Sequence, residues 1–299
     1  MRHARTELLR GALFLLTGEL LFATMGAMVK TVTQALPMEM AVFFRNAFGL
    51  LVLLPLIHRH GGLALYRTGH FPLHALRAVV GLSAMYCFFY TLGRLPLADG
   101  VLLKMTAPLF IPLIAWAWLG EGATRLALLA VPVGFVGVIL VLQPHGELQA
   151  AALVGLLGGA LVALAKVSVR RLTGREPVLR IVVWFTTLST ALSALPLLWH
   201  WRTPDAAQWA LLLGLGAVGS AAQLVMTRGY ACAPAGQLSP LTYSSVLFGA
   251  GYGYLLWGEV PHGRFVLGAL LIALAGMLAV YRPRGAPLPL AVEGTTRGP

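Results

Sequence analysis

The chain has 299 residues, of which 58% are hydrophobic and only 11% are charged, and its formal net charge is +12. Ten acidic residues cannot give a protein of this length the charged surface that water solubility requires, so the composition excludes a soluble protein and indicates a polytopic membrane protein. The basic residues stand in short hydrophilic gaps between apolar runs, which favours contact with a lipid bilayer and argues against nucleic acid as a partner.

Ten apolar segments are long enough, at about 20 residues each, to cross a bilayer as helices. They lack the apolar–polar alternation of barrel strands, so we predict an all-α membrane protein with ten transmembrane helices. The predicted spans are 11–30, 39–57, 74–93, 97–118, 126–143, 151–169, 178–199, 207–228, 237–257 and 264–281. Residues 1–10 form a predicted cytoplasmic N-terminal segment, and the Pro- and Gly-rich tail 282–299 is predicted to be disordered on the same side.

The distribution of Lys and Arg predicts the orientation. With the N-terminus inside, Arg94, Arg202 and Arg264 are the basic residues assigned to the outer side, and 15 others, among them Arg77, are assigned to the inner membrane surface. This bias predicts a multi-pass protein of the cytoplasmic (inner) membrane with both termini in the cytoplasm.

An internal repeat organises the chain. Residues 96–125 and 234–264 follow one pattern at a constant offset of about 138 residues, so that Gly120-Glu121 matches Gly258-Glu259. The repeat divides the chain into a first five-helix unit, 11–143, and a second, 151–281. Because five is an odd number, the second unit must be inverted relative to the first. Chance similarity between two apolar segments is the alternative.

Three motifs carry a family resemblance: FYTLGRLPLADGVLLKMTAPLF (89–110), LGEGATR (119–125) and GYACAPAGQLSPLTYSSVLFGAGYGYLLWGEVP (229–261). With them, the chain resembles the drug/metabolite transporter (DMT) superfamily, and within it the EamA-type ten-helix transporters. The resemblance covers residues 11 to 283 and implies secondary transport by alternating access. It leaves the substrate open, because the superfamily moves amino acids, nucleotide-like cofactors, vitamins, nucleotide sugars and toxic cations.

Ionisable residues inside the predicted spans are the first candidates for function, because burying a charge in a bilayer is costly. Glu19 is a candidate for proton coupling or for pairing with the substrate. Arg45 and Lys104 lie at similar depth in spans 2 and 4 and are predicted to form an anion site, with separate structural roles as the alternative. Lys30 and Lys166 lie near span ends and are interpreted as interfacial anchors.

Aromatic and polar side chains are predicted to line the same cavity, with core packing and interhelical hydrogen bonds as the alternatives. They are Tyr86, Tyr90, Trp184, Gln223, Ser239 and Tyr243. Pro108, Pro112 and Pro240 are predicted to kink their spans and to act in gating.

The predicted function is a secondary transporter for a small organic metabolite, with export of an amino acid or related compound as the first interpretation. Uptake of a nucleotide-like cofactor or vitamin is the alternative within that class, and a non-transporting membrane receptor or scaffold is the alternative outside it. Neither an enzyme nor direct drive by ATP is expected, because the sequence holds no catalytic constellation and no Walker-A loop. We expect no metal and no cofactor, and both a monomer and a homodimer remain open.

Overall fold

A computed structural model describes residues 2–119, 125–142, 147–173, 175–232 and 239–280, and every regular element in these ranges is helical. The helices are α1 (Arg2–Ala35), α2 (Met38–Arg59), α3 (Phe71–Leu92), α4 (Leu97–Lys104), α5 (Ala107–Leu119), α6 (Arg125–Leu142), α7 (Glu147–Thr173), α8 (Val178–Ala194), α9 (Leu197–His200), α10 (Ala206–Cys232), α11 (Ser244–Trp257) and α12 (Gly263–Val280). Two 3-10 helices, Gly62–Tyr66 and Ser239–Tyr243, lie before α3 and α11. The predicted tail 282–299 and the Gly120-Glu121 turn lie outside the described residues.

Six stretches of the described chain are long and apolar enough to cross a membrane. They are Leu9–Ala35, Met38–Arg59, Phe71–Leu92, Leu97–Trp118, Ala150–Val169 and Ala206–Met226. Shorter apolar helices lie at Leu129–Val141, Leu179–Ala194 and Gly263–Leu278. The all-α membrane class is therefore confirmed, while the count of ten crossings stays a prediction.

Prolines set the start of several helices. Pro37, Pro96 and Pro177 each precede a helix with an extended ψ near 140°, and α2, α4 and α8 begin at the next residue. Proline suits this position because its φ is fixed and it has no N–H group to satisfy. At the other end of α11, Gly258 adopts a left-handed φ of 67° and its N–H donates to the Tyr254 carbonyl, a common helix ending.

Three predicted spans are not single helices. Span 97–118 is broken at Met105 and Thr106, span 178–199 is broken at Leu195 and Pro196, and span 237–257 enters α11 through a 3-10 turn. Conversely, α1 already begins at Arg2, so the predicted N-terminal segment is continuous with the first helix.

The helices of the two proposed halves pack in corresponding ways. In the repeat, α1, α2, α3 and α5 of the first half correspond to α7, α8, α10 and α11 of the second. The contact of α1 with α10 matches that of α7 with α3, and the contact of α2 with α10 matches that of α8 with α3. The contact of α1 with α11 likewise matches that of α7 with α5. Two further contacts, α2 with α8 and α6 with α12, join helices in equivalent positions of the two halves. Exchanging the halves therefore reproduces these helix contacts.

Candidate functional site

Two helix breaks, at equivalent positions of the repeat, place helix ends inside the bundle. Helix α4 ends at Lys104, and the Thr106 hydroxyl in the break donates to the Leu103 carbonyl at 2.6 Å. About 138 residues later, the Ser244 hydroxyl donates to the Leu241 carbonyl at 2.6 Å, at the start of α11. Each hydroxyl satisfies a carbonyl that the break removes from the helical ladder, which permits irregular backbone deep in a bundle.

Glu19 lies between these breaks and is only 4% exposed. The charges that act on its carboxylate are Lys104, at the end of α4, and Lys166 on α7, and Ser245 in the first turn of α11 also interacts with it. The Lys104 ammonium lies 5.1 Å from the Phe22 ring centroid and 4.9 Å from that of Phe88. Aromatic faces therefore hold this cation in addition to the carboxylate.

Arg45 on α2 extends this group. Its charge acts on Lys104, together with the charges of Glu19 and Lys166. Its Nη1 donates to Asn46 Oδ1 at 3.2 Å, and Asn46 in turn donates to the Val42 carbonyl at 2.9 Å. We call Glu19, Arg45, Lys104 and Lys166 the central charged cluster. It contains three cations and one carboxylate.

Lys166 is a residue that the sequence interpretation placed elsewhere, as an anchor at a span end. Its position seven residues after Gly159 puts both residues on one face of α7. A Cβ at Gly159 would lie 2.3 Å from Thr106 Oγ1 and 3.0 Å from the Leu103 carbonyl, so this face meets the α4–α5 break. The two-turn spacing from that glycine is the signal that points Lys166 towards the centre.

Arg77 on α3 was also assigned to a membrane surface, yet its Nε and Nη1 are buried and have no hydrogen-bond partner among the described residues. Its guanidinium carbon lies 4.1 Å from the ring centroid of Phe185, and Arg45 acts on it electrostatically. Gly81, one turn further on, makes room for it, because a Cβ there would lie 2.0 Å from Nη1.

The predicted aromatic residues lie in separate neighbourhoods, and among the described contacts none joins Tyr90, Trp184 or Tyr243 to Glu19. The Arg94 guanidinium carbon lies 3.8 Å from the Tyr90 ring centroid. The Tyr243 hydroxyl donates to the Ile272 carbonyl of α12 at 3.4 Å. The remaining candidates are placed as follows: Trp184 packs against Tyr66, Phe71 and His74; the Tyr86 hydroxyl is buried without a described partner; Gln223 is exposed on α10; and Ser239 lies in the 3-10 turn, with its side chain outside the described residues.

The prolines lie beside the breaks. Pro108 is the second residue of α5, Pro112 lies inside α5, and Pro240 lies in the 3-10 turn before α11. A proline disfavours helical backbone at the residue before it and tolerates the first turn of a new helix. The first break therefore falls ahead of Pro108 rather than at it.

A small cavity opens beside Lys104, between α3, α4 and α7. Its volume is about 10 Å³, which is room for about one water molecule. The lining residues are Ala84, Phe88, Thr91, Gly100, Lys104, Gly155, Gly158 and Val162. This cavity beside Lys104 is too small to hold an organic solute.

The second Gly-Glu turn joins the halves on one side of this centre. The Glu259 carboxylate accepts a hydrogen bond from the Leu97 N–H at 2.8 Å, at the start of α4, and forms an ion pair with Lys30 of α1. Lys30 also donates to the Leu95 carbonyl at 3.0 Å and lies 5.1 Å from the Trp257 ring centroid. We call Lys30, Leu97 and Glu259 the Glu259 cluster.

A second carboxylate joins the halves elsewhere. Glu176, between α7 and α8, accepts hydrogen bonds from Thr68 and from Arg180 Nη1, each at 2.5 Å, and lies 3.3 Å from His70 Nδ1. Burial would raise the pKa of Glu176, but the bonds from Thr68, Arg180 and His70 and the Arg180 charge lower it to about 2. We call Thr68, His70, Glu176 and Arg180 the Glu176 cluster.

Comparison with known proteins identifies the family. The model of the EamA-like transporter family matches residues 9–143 and, a second time, residues 149–281. The chain belongs to the EamA-like transporter family. It is therefore a member of a family of transporters rather than of enzymes, within the DMT superfamily.

Several EamA relatives align along most of their length. The chain is 34% identical to the pseudopaline exporter of Pseudomonas aeruginosa, over 89% of this chain and 94% of the relative. It is 28% identical to the riboflavin transporter of Vibrio cholerae, over 89% and 91%. It is 26% identical to the S-adenosylmethionine uptake transporter of Rickettsia felis, over 82% and 83%. A solved crystal structure matches with a TM-score of 0.62 at 22% identity, covering 90% of this chain and 97% of that one, which shows a shared fold.

Proposed function

We propose that this EamA-like protein is a secondary transporter that moves a small organic metabolite with an anionic group across the cytoplasmic membrane by alternating access. The observation that carries the proposal is the excess of positive charge in the central charged cluster, located where two broken helices meet. An amino acid or a related compound, moved outward, is the substrate and direction that we put first.

The charge balance indicates the chemistry of the substrate. Lys104, Lys166 and Arg45 act around a single carboxylate, Glu19, within the helix bundle. Cations without a counter-charge raise the free energy of a protein at membrane depth. Binding of an anionic group would neutralise them and is therefore favourable. A carboxylate bound to Lys104 and Arg45 fits this balance, and the aromatic faces of Phe22 and Phe88 suit an apolar part of the solute.

The paired helix breaks support a binding site at this place. Broken helices at corresponding positions of two repeats are the usual location of substrate sites in secondary transporters. Here the N-terminus of α11 carries Ser245 towards Glu19. The positive end of a helix dipole at this point favours a negatively charged group.

Alternating access follows from the two-part architecture. We propose that the ten helical segments cross the membrane as two inverted units, 11–143 and 151–281, with both termini cytoplasmic. The reciprocal helix contacts and the two family matches support this arrangement. The Glu259 cluster and the Glu176 cluster then lie at opposite ends of the units, the first outer and the second inner, and each would have to break for the centre to open to its side.

Two relatives favour the alternative substrate class, and one of them favours the alternative direction. The riboflavin transporter and the S-adenosylmethionine uptake transporter align over most of this chain, which keeps uptake of a vitamin or nucleotide-like solute as the second candidate. A receptor or scaffold that transports nothing is the third, and flux measurements decide among the three.

The deciding experiment is transport into proteoliposomes that hold the purified full-length protein, with panels of radiolabelled anionic, zwitterionic and cationic metabolites. Replacing Lys104 with Gln should lower the flux of anionic solutes by about tenfold or more, since a hydrogen bond to a charged group contributes about 1.5 to 3 kcal/mol. Cationic solutes should not lose flux. Arg94→Gln, at an exposed helix end, is the matched control and should change neither class. No flux of any solute would reject the proposal.

Proton coupling is tested separately at Glu19. If this carboxylate carries the coupled proton, Glu19→Gln abolishes flux driven by a pH gradient but leaves solute–solute exchange intact, because exchange needs no net proton movement. Glu39→Gln, at the start of α2 and outside the central charged cluster, is the control. Unchanged gradient-driven flux in Glu19→Gln would remove Glu19 from the coupling mechanism.

A further inference from the structure

Several unsatisfied polar atoms of the described residues lie where helices α3 and α8 meet. Among the described residues, all buried side-chain nitrogen and oxygen atoms without a hydrogen-bond partner belong to α3 or α8, two helices that pack against each other. They are His74 Nδ1 and Nε2, Arg77 Nε and Nη1, Tyr86 OH, Arg180 Nε, Trp184 Nε1 and Ser189 Oγ. His74 contacts Trp184, Arg77 contacts Phe185, and both His74 and Arg180 lie near Glu176, so four of these residues lie together. Buried polar groups in native proteins normally have partners, so this group of donors indicates that a polar group binds there. We call this surface the α3–α8 interface.

The chemistry of these atoms specifies the binding partner. The nitrogens of Arg77 and Trp184 can only donate hydrogen bonds, and neither a carboxylate nor an amide oxygen is among the unpartnered atoms. The occupant must therefore accept hydrogen bonds. Because Arg77 also carries a positive charge, an oxyanion such as a carboxylate or phosphate fits better than a neutral carbonyl.

Aromatic rings hold the donors in place. The Trp184 ring stacks on His74, with centroids 5.8 Å apart, and the rings of Tyr66 and Phe71 pack edge-on against it at 5.5 and 5.3 Å. On the next position of α8, Phe185 supports the Arg77 guanidinium at 4.1 Å. The donors are thus fixed by packing before any ligand arrives, which lowers the entropy cost of binding.

The α3–α8 interface is electrostatically connected to the central charged cluster. Arg45 acts on both Arg77 and Lys104. In the other direction, His74 Nε2 lies 4.0 Å from the Glu176 carboxylate. Arg77 therefore interacts with the central charged cluster through the charge of Arg45, and His74, one turn earlier on α3, lies beside the Glu176 cluster.

We propose that the α3–α8 interface is a second binding site for the oxyanion group of the transported solute, occupied on the path between the central charged cluster and the side closed by the Glu176 cluster. This inference rests on the proposed transport function and extends it to the route of the solute. The same chemistry could come from the phosphate of an anionic lipid, and the experiment separates the two sources.

The test measures binding of citrate and of inorganic phosphate to the full-length protein in detergent, by calorimetry and by thermal unfolding. It is done in the Lys104→Gln background, so that binding at the centre is weakened. Trp184→Phe deletes one N–H and keeps a ring, and it should weaken citrate binding by about tenfold. Trp199→Phe, at a residue that is 75% exposed, is the matched control and should leave binding unchanged.

Stability without ligand distinguishes a binding role from a structural one. Because Trp184 Nε1 and both ring nitrogens of His74 have no hydrogen-bond partner within the described protein, Trp184→Phe and His74→Phe should leave the Tm of the ligand-free protein unchanged or higher, while binding weakens. A lower ligand-free Tm with unchanged citrate affinity would overturn the proposal. Should Trp184→Phe fail to fold, His74→Phe decides by the same criteria.

Variants of Arg77 distinguish a solute-binding site from a lipid-binding site. Arg77→Gln should abolish the remaining citrate and phosphate binding, Arg77→Lys should retain part of it, and Arg94→Gln should retain all of it. If vesicles of phosphatidylglycerol stabilise the protein through Arg77 and neither citrate nor phosphate binds, the interface is a lipid site and the proposal is wrong. Absence of flux in the wild-type protein would instead count against the transport function, and the binding measurements, which require no flux, would still test the interface.

Discussion

Glu176 shows how one side chain can fix the relative position of two loops. Its carboxylate accepts hydrogen bonds from Thr68, in the loop before α3, and from Arg180 on α8, and its side chain is only 3% exposed. The first loop belongs to one proposed half and the second to the other. The bonds depend on the charged form of the carboxylate, so the contact between the halves depends on pH.

We expect Glu176→Gln to lower the free energy of unfolding at pH 7 by about 1 to 3 kcal/mol, because the charge-assisted hydrogen bonds weaken. The folded-state pKa of Glu176 is about 2, below its ordinary value of 4.5, so the folded state favours the ionised form. The corresponding stability is fully present above about pH 4.5 and is lost as the pH falls through about 2. Thermal unfolding in detergent from pH 7 to pH 3 should show this loss in the wild type and a flatter profile in the variant. Asp205→Asn, at an exposed carboxylate, is the control, and equal pH profiles of wild type and Glu176→Gln would contradict the prediction.

For individual residues, a charged side chain inside an apolar run is the most useful signal in the sequence. It pointed to Glu19, Arg45 and Lys104, which the structure brings into one electrostatic group, while their function stays a prediction. Lys166 and Arg77 were assigned to membrane surfaces because they lie near the ends of apolar runs. Distance along a helix does not give the direction of a side chain, and glycine contacts in the structure show that direction.

Among the elements, the broken fourth helix of the first half depends on a glycine in its neighbour. Gly159 of α7 lies against the break, and a Cβ there would lie 2.3 Å from Thr106 Oγ1 and 3.0 Å from the Leu103 carbonyl. Neither group can move freely, since the Thr106 hydroxyl donates to that same carbonyl. The close approach of α7 therefore requires glycine at this position.

Gly159→Ala should displace α7 from the break and lower the free energy of unfolding by about 1 to 3 kcal/mol, the usual cost of overpacking. Transport should fall as well, since Lys166 lies on the same face of α7. Gly251→Ala is the matched control, because a Cβ at Gly251 meets nothing within 4 Å and alanine favours a helix. Unfolding in detergent and flux in proteoliposomes measure both effects. Equal stability of the two variants would show that the approach at Gly159 is not a tight one.

The positions of the helices could largely be predicted, but the breaks could not. Apolar length predicts where helical segments lie because the bilayer sets that length. The apolar length of a segment does not reveal a break such as Met105-Thr106, because the residues on both sides of the break are as apolar as the rest of the segment. Pro108 gave a signal, although a proline within the first turn of a helix marks a break that precedes it. Which helices pack together was not predictable, because these helices are apolar on most sides.

At the scale of the whole molecule, the Glu259 cluster and the Glu176 cluster each join the two proposed halves, and together they predict how the protein opens. The Glu259 cluster joins α1 and the start of α4 to the loop after α11, and the Glu176 cluster joins the loop before α3 to the start of α8. The cavity beside Lys104, at about 10 Å³, is too small for a solute in the described conformation. Opening on either side then requires one cluster to break while the other holds.

This expectation predicts opposite effects of two charge-neutralising variants on hydrogen–deuterium exchange of the full-length protein. Glu259→Gln removes the ion pair with Lys30, so exchange should increase in residues 95–104 and stay unchanged or decrease in residues 67–73. Glu176→Gln should do the reverse, because loss of one cluster shifts the population towards the conformation that keeps the other. Asp205→Asn should change neither segment. If each variant increased exchange equally at both ends, the clusters would be parts of one rigid structure, and rocking of two halves about the central charged cluster would lose its support.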